Sequence, residues 1–478
     1  VRVWADESQI AQADFALDVA EKSLKYLNRY FGRRYDLPKL DLVAAPDFAS
    51  GAMENWGAVL FRDVNLLIDP KLSSEAAKRR VAEVVAHEIT HQWFGNLVTM
   101  TWWDDLWLNE AFATWMAAKV VDDWKPEWKV WEEFGQGKRG PLAIDALPGT
   151  RPVRSDAATP AEIQAMFDPI TYQKGGALLR MLEAWIGPAA FRKGLAVHIE
   201  KFAYKNAAAA ALWRELERAS GKPVLRVADG WLRQGGVPIV TASIADAVKR
   251  KLRLSPVRYS AVGKTDATQW AVPISVRYRL KGETKTRIAR ALLDGGILDM
   301  YLPGKGELLW AYPNADETGY YRLRFEPELL KRLLKDRARL SAMERAGLID
   351  QLWAQARSGS IGVDVFLDAL ARFKGDRSRL VLEEAASSLK TLREELAGEN
   401  ERAALARFAE AFFAPHAKRL GWSKKRGEPS EDALTRRAVL SALALHAPDS
   451  LRTDVDARLK AYLADPASVD PAVAPVVL

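Results

Sequence analysis

The stretch Val84-Val85-Ala86-His87-Glu88-Ile89-Thr90-His91 holds two of the chain's five histidines, four residues apart around a glutamate. On an α-helix, at 3.6 residues per turn, positions i and i+4 share one face a turn apart. Glu88 projects about 100° away around the same turn. Metal-assisted hydrolysis asks for this division of labour: ligands on a divalent ion, an open position for water, and a nearby base that is not a ligand. The pattern is H-E-x-x-H, and it requires a helix, expected over about 74–94 and ended by Gly95. A third ligand has to come from a second helix. Eighteen residues separate His91 from Glu110, which lies early in the next helical stretch, about 105–121. The turn around Met100-Thr101-Trp102-Trp103-Asp104-Asp105 lets that stretch fold back beside the first. The bland alternative is a pair of core histidines on an apolar helix, and the placement of Glu110 weighs against it.

Composition narrows the chemistry. There is no cysteine, so disulfides and thiolate metal sites are excluded and any metal must be held by His and carboxylates. At 478 residues the chain is too long for one hydrophobic core and suggests about three domains. No run of eighteen apolar residues occurs, so no membrane span is expected. The start, Val1-Arg2-Val3-Trp4, has no signal character and reads as the middle of a longer chain. With the lack of cysteine, this agrees with a cytoplasmic location. The net charge of +8 is mild. Basic clusters such as Lys78-Arg79-Arg80, Lys249-Arg250-Lys251 and Lys424-Lys425-Arg426 lack interleaved aromatics, and read as solvated faces rather than a nucleic-acid groove.

Apolar spacing predicts a helix over 7–31, stopped at Gly32, then strands in 39–48 and 57–68. Helices dominate from there to Gly235-Gly236. Residues 237–325 change to short alternating segments (238–244, 251–256, 270–280, 286–294, 298–303 and 320–325), the pattern of a small antiparallel sandwich. From 327 onward the chain is Ala/Leu/Arg/Glu-rich at helical spacing, interrupted by a polar loop at 421–433. The expectation is a multidomain α+β protein with domains 1–236, 237–326 and 327–478.

In these motifs the chain resembles the M1 zinc aminopeptidases of the gluzincin group. The resemblance rests on His87 to Glu110, on Gly51-Ala52-Met53-Glu54-Asn55-Trp56-Gly57, on "WLNEAFATW" at 107–115 and on "ITYQKGG" at 170–176. It continues through "TGYYRLRF" at 318–325 and "LSAMERAGLIDQ" at 340–351. It implies a thermolysin-like, mainly helical catalytic domain with a small β-sheet, followed by a small β-sandwich and an α-helical domain. It also implies one zinc ion per chain on His87, His91 and Glu110, with Glu88 as general base and Tyr172 as the donor to the oxyanion. On the same resemblance, Gly51, Ala52, Met53, Glu54 and Asn55 are expected to form an edge strand over the cleft, where Glu54 would meet the substrate's free α-ammonium. Ser50 and Phe167 fall where relatives line the first side-chain pocket. The implied activity is removal of N-terminal residues, neutral or of broad type, from peptides with a free N-terminus.

Two departures stand out. Relatives commonly carry a glutamate seven residues after the glutamate ligand, where this chain has Ala117, and a glycine where it has Ala111. By the same comparison, the chain begins after a β-rich domain and stops partway through a longer helical one. Two further readings compete with the peptidase. A bifunctional epoxide hydrolase of the same family is disfavoured by Ala52, where that branch has glycine. A catalytically silent scaffold is disfavoured because ligands, Glu88 and Tyr172 are all present. His198, His416 and His446 sit alone on helical stretches and are expected in surface or core roles, and Glu83 as an exposed helix acid.

Overall fold

The computed structural model describes residues 1–263 and 267–478. A four-stranded sheet opens the chain, with strands β1 (Arg2–Trp4), β2 (Asp41–Ala45), β3 (Ala52–Met53) and β4 (Ala58–Arg62) in the order β1-β2-β4-β3. The first three of that order run parallel, and β3 lies antiparallel on the edge, pairing Ala52 with Phe61 and Met53 with Leu60. Alternation along β4 buries Val59 and Phe61 on one face, as expected of a half-covered strand. The expected strand at 57–68 is therefore shorter, because a 3₁₀ turn at Asp63–Asn65 ends it.

Helix α1 (Asp14–Phe31) stops at Gly32, whose φ of +69° is a conformation other residues adopt at a cost. Helices α2 (Glu75–His91) and α3 (Trp107–Trp124) follow. They are separated by a tight turn and by strand β5 (Val98–Met100), which pairs with β6 (Lys205–Ala207). Beneath them Phe31, Trp93, Phe94, Phe112 and Trp115 interlock, with the Phe94 and Phe112 rings stacked 3.5 Å apart. Aromatic packing of this kind fixes the two helices against α1 by burial and ring geometry together.

The segment 237–325 folds as two sheets. One has the order β11-β8-β7-β13, from Leu298–Tyr301, Lys251–Arg258, Pro238–Asp246 and Arg322–Phe325. The other has the order β10-β9-β12, from Arg287–Asp294, Ala271–Leu280 and Leu308–Tyr312. Three expectations need correction. The sandwich is not wholly antiparallel, since β13 runs parallel to β7. Strand β12 was not expected, because four of its five residues are buried or packed without a polar alternation. Nor does the polar loop extend to 433: Ser430 already begins a helix, Ser430–His446.

By internal packing the described residues form two units, one of Val1–Leu67 with Ala82–Glu344 and the other of Ile68–Val81 with Arg345–Leu478. The first carries both sandwich sheets and every residue singled out above for catalysis. The second is helical. Within it the loop before Ser430–His446 closes on the buried Arg436, which donates to Glu428 at 2.6 Å and to the Gly421 carbonyl at 3.1 Å. Among the described residues no helix is long and apolar enough to cross a membrane.

Candidate metal centre

Helix α2 ends at His91 because the chain must turn back sharply. Gly95 adopts φ +125°, and a Cβ there would lie 3.1 Å from His91 Nδ1. The turn this permits carries the Phe94 carbonyl to within 3.0 Å of the same nitrogen. With Nδ1–H donated to that carbonyl, the His91 Nε2 lone pair faces outward from the helix. It lies 3.0 Å from His87 Nε2, and Glu110 Oε2 from α3 is 3.3 Å from His87 Nε2 and 3.5 Å from His91 Nε2. The structure thus brings His87, His91 and Glu110 together, and all three are among the groups able to hold a metal ion.

These distances test whether a zinc ion fits. Ligands on a tetrahedral zinc at 2.0–2.1 Å stand about 3.3 Å apart, which is the scale of the triangle measured here. With both Nε2 atoms deprotonated, these are three electron-pair donors that a divalent cation would draw together. The donor set and its spacing both fit zinc.

The surrounding field favours positive charge. Burial pushes the His87 imidazole down. Burial opposes protonation of His91 too, but the carboxylates of Glu54, Glu110 and Glu88 outweigh it and raise that ring. Glu110 is itself held far below the usual carboxylate range by the two imidazoles, against the opposing effect of burial. Glu88 is buried, and with Glu54 and His91 it forms a second convergent group whose ligand atoms lie within 4.8 Å of one another.

Glu54 follows β3 directly. Its carbonyl accepts from Gln92 Nε2 at 3.1 Å and from Asn96 Nδ2 at 2.7 Å, and Gln92 Oε1 accepts from Gly57 N at 3.2 Å. Gly51 is tied by its carbonyl to Asn65 Nδ2 at 3.0 Å. Asn55 donates to the Met53 carbonyl at 3.5 Å. Gln92 and Asn96 were missed in the sequence, although both stand within five residues of His91; a polar side chain next to a histidine ligand was the available signal.

Tyr172 lies in a π-turn, Ile170–Lys174, with its ring 6.1 Å from that of His87 and roughly parallel to it. Burial, followed by the charges of Glu110, Glu88 and Glu54, raises the phenol well above its ordinary value, so it stays protonated and able to donate. Phe167, 41 % exposed, lies just ahead of this turn, and Ser50 is exposed ahead of β3. At the position of Ala117 only a buried methyl is found. His87 Nδ1 instead lies 3.5 Å from Thr114 Oγ1, a hydroxyl that donates to the Glu110 carbonyl at 2.8 Å. Glu83 is exposed, while His198, His416 and His446 are buried in helices and belong to no metal-binding group among the described residues.

Comparison with known proteins supplies a second line of evidence. Residues 15–231 match the peptidase family M1 domain, and residues 310–478 match the ERAP1-like C-terminal domain. The chain is similar to Aminopeptidase M1-A of Oryza sativa subsp. japonica, at 40% identity over 93% of this chain and 51% of that protein. Aminopeptidase M1 of Arabidopsis thaliana is 36% identical over 97% of this chain and 54% of its own length. Puromycin-sensitive aminopeptidase of Caenorhabditis elegans is 35% identical over 93% of this chain and 48% of its own. The chain spans about half the length of the curated relatives it matches.

Proposed function

The chain belongs to peptidase family M1 through its residues 15–231, and from that premise we propose that it is a zinc-dependent aminopeptidase. It removes N-terminal residues, neutral or of broad type, from peptides with a free N-terminus. The observation that carries this reading is the triangle of His87 Nε2, His91 Nε2 and Glu110 Oε2, with sides of 3.0, 3.3 and 3.5 Å. These residues would hold the ion, which when bound polarises the scissile carbonyl and lets water lose a proton near neutral pH. Glu88 takes that proton and passes it to the leaving amine. The Tyr172 phenol donates to the carbonyl oxygen as negative charge develops on it, where a preorganised donor counts most.

Glu54 receives the substrate's α-ammonium in a charge-assisted contact. The polypeptide backbone at Gly51, Ala52 and Met53, on the open edge of the sheet, pairs with the peptide as an added strand. Ser50 and Phe167 line the first side-chain pocket, and an aromatic wall without a carboxylate suits neutral or aromatic residues over basic ones. The same reading divides the chain at 1–236, 237–326 and 327–478 into catalytic, sandwich and helical domains. The names of the similar plant and nematode proteins, all aminopeptidases, support it.

The test is Glu88→Gln, assayed on a panel of aminoacyl-arylamides with bound zinc measured in parallel. Full zinc with turnover lowered by at least about a hundredfold is expected, the scale of a general base. Unchanged turnover removes Glu88 as the base, and a wild-type protein that takes up no stoichiometric zinc favours the silent scaffold.

A further inference from the structure

The π-turn that carries Tyr172 is restrained at both ends by ionic contacts. A π-turn is a rare, locally unfavourable departure from the α-helix and is found most often at functional sites, so something outside it has to hold it. On its N-terminal side Asp168 Oδ1 accepts from Ile170 N at 2.9 Å and from Thr171 N at 3.1 Å. Arg151 grips that carboxylate through Nε at 3.2 Å and Nη2 at 2.5 Å, and reaches Thr171 Oγ1 at 2.7 Å.

The C-terminal side is anchored more deeply. Lys174 Nζ meets Asp145 Oδ2 at 2.8 Å, with both side chains 0% exposed. The same ammonium donates to the Gly236 carbonyl at 3.2 Å. Asp145 is fully engaged: Oδ1 accepts from Thr150 Oγ1 at 2.7 Å and from Gly236 N at 3.0 Å, while Oδ2 also accepts from Tyr320 OH at 2.7 Å. A buried ion pair contributes little to stability that a well-packed apolar pair would not, because desolvation offsets the attraction. What such a network does give is one allowed position for the backbone that carries it.

Lys174 stands only two positions after Tyr172, and the ring of Tyr172 is the one lying over His87. We propose that Lys174 and Asp145 are positioning residues that fix the π-turn, and with it the Tyr172 phenol, in register with His87, His91 and Glu110. Tyr320 and Gly236, from the sandwich and the segment leading into it, brace that anchor. The proposal rests on the role given to Tyr172 above and deepens it: the donor's aim is set by a charge network that touches neither metal nor substrate.

The experiment measures kcat and KM on an alanyl-arylamide, with zinc content and thermal midpoint. The variants are Tyr172→Phe, Tyr320→Phe, the double Lys174→Met/Asp145→Asn, and the last two again in the Tyr172→Phe background. Tyr172→Phe is expected to lower kcat by about a hundredfold or more, as loss of an oxyanion donor does. The double variant is expected to keep its zinc and a KM within about twofold, and to lose about tenfold or more in kcat, the scale of a misplaced catalytic group. In the Tyr172→Phe background that further loss should shrink to less than about twofold, as coupled sites behave. A structural role alone would give the same loss in both backgrounds, and that result overturns the proposal. If the double variant does not fold, Tyr320→Phe decides: a kcat loss that depends on Tyr172 supports the anchor, and an unchanged kcat overturns it. Full activity in Tyr172→Phe itself would instead overturn the role of Tyr172 on which the proposal stands.

Discussion

At the scale of single residues, the neighbour placed to orient His87 is Thr114 rather than the glutamate expected at position 117. The position of the expected glutamate holds the methyl of Ala117, and the ring nitrogen is instead within 3.5 Å of Thr114 Oγ1. That hydroxyl spends its proton on the Glu110 carbonyl at 2.8 Å, leaving lone pairs for His87 Nδ1–H. Groups that orient ligand histidines typically change metal affinity by about tenfold to a hundredfold when removed. Thr114→Val is therefore expected to weaken zinc binding by about tenfold in competition with a chromophoric chelator, and an unchanged affinity would show that Thr114 does not orient the ring. His198 offers a pH prediction of another kind. Its ring packs between Phe94 and Phe202, and both ring nitrogens are buried without a hydrogen-bond partner among the described residues. Burial pushes it down from 6.5 to about 4. The unfolded chain takes up that proton first as pH falls. This stabilisation is thus complete above about pH 6.5 and lost progressively toward pH 4, at no more than about 1.4 kcal/mol per pH unit. His198→Leu should flatten the fall in the urea midpoint between pH 7 and pH 5; an equally steep fall in the variant would contradict the assignment.

At the scale of elements, the site depends on how closely two helices approach. Gly175 begins the helix Gly175–Ile186, and a Cβ there would meet Ala111 Cβ at 2.5 Å, next to Glu110 on α3. Overpacking at such a contact costs about 1–3 kcal/mol. Gly175→Ala should lower the thermal midpoint and displace Glu110, and Ala111→Gly added to it should restore both. A midpoint unchanged by Gly175→Ala would mean the two helices have slack. Strands were legible where alternation was clean, as in 251–256 and 270–280. It was not legible at Leu308–Tyr312, which is buried on both faces and so lacks a period. Nor could alternation indicate that β13 pairs with β7 in parallel, since a period of two is the same in either direction.

At the scale of the whole molecule, the proposed zinc site would draw its three ligands from α2 and α3, and metal binding would then be a term in stability as well as catalysis. A ligand that binds only the folded state adds about 4 kcal/mol when present at a thousand times its dissociation constant. Chelation is expected to lower the thermal midpoint by several degrees, with zinc restoring it. The Glu110→Gln variant should show a smaller response, and a midpoint indifferent to chelator would argue against a zinc ion bridging the helices.

Much of the candidate site was readable in one dimension. The i, i+4 spacing of His87 and His91 is a local property of the helix, and helical geometry alone puts both rings on one face. Glu110 was legible because its helix follows directly and has few ways to return. The partners that aim these groups were not. Phe94 O, Gln92 and Asn96 act through a turn whose path is set by Gly95, while Arg151, Asp145 and Tyr320 reach the Tyr172 turn from 20 to about 150 residues away. Local spacing is decided by backbone geometry and so is written in the sequence. The aim of each group is decided by which distant side chains share its buried space, and only the folded chain settles that.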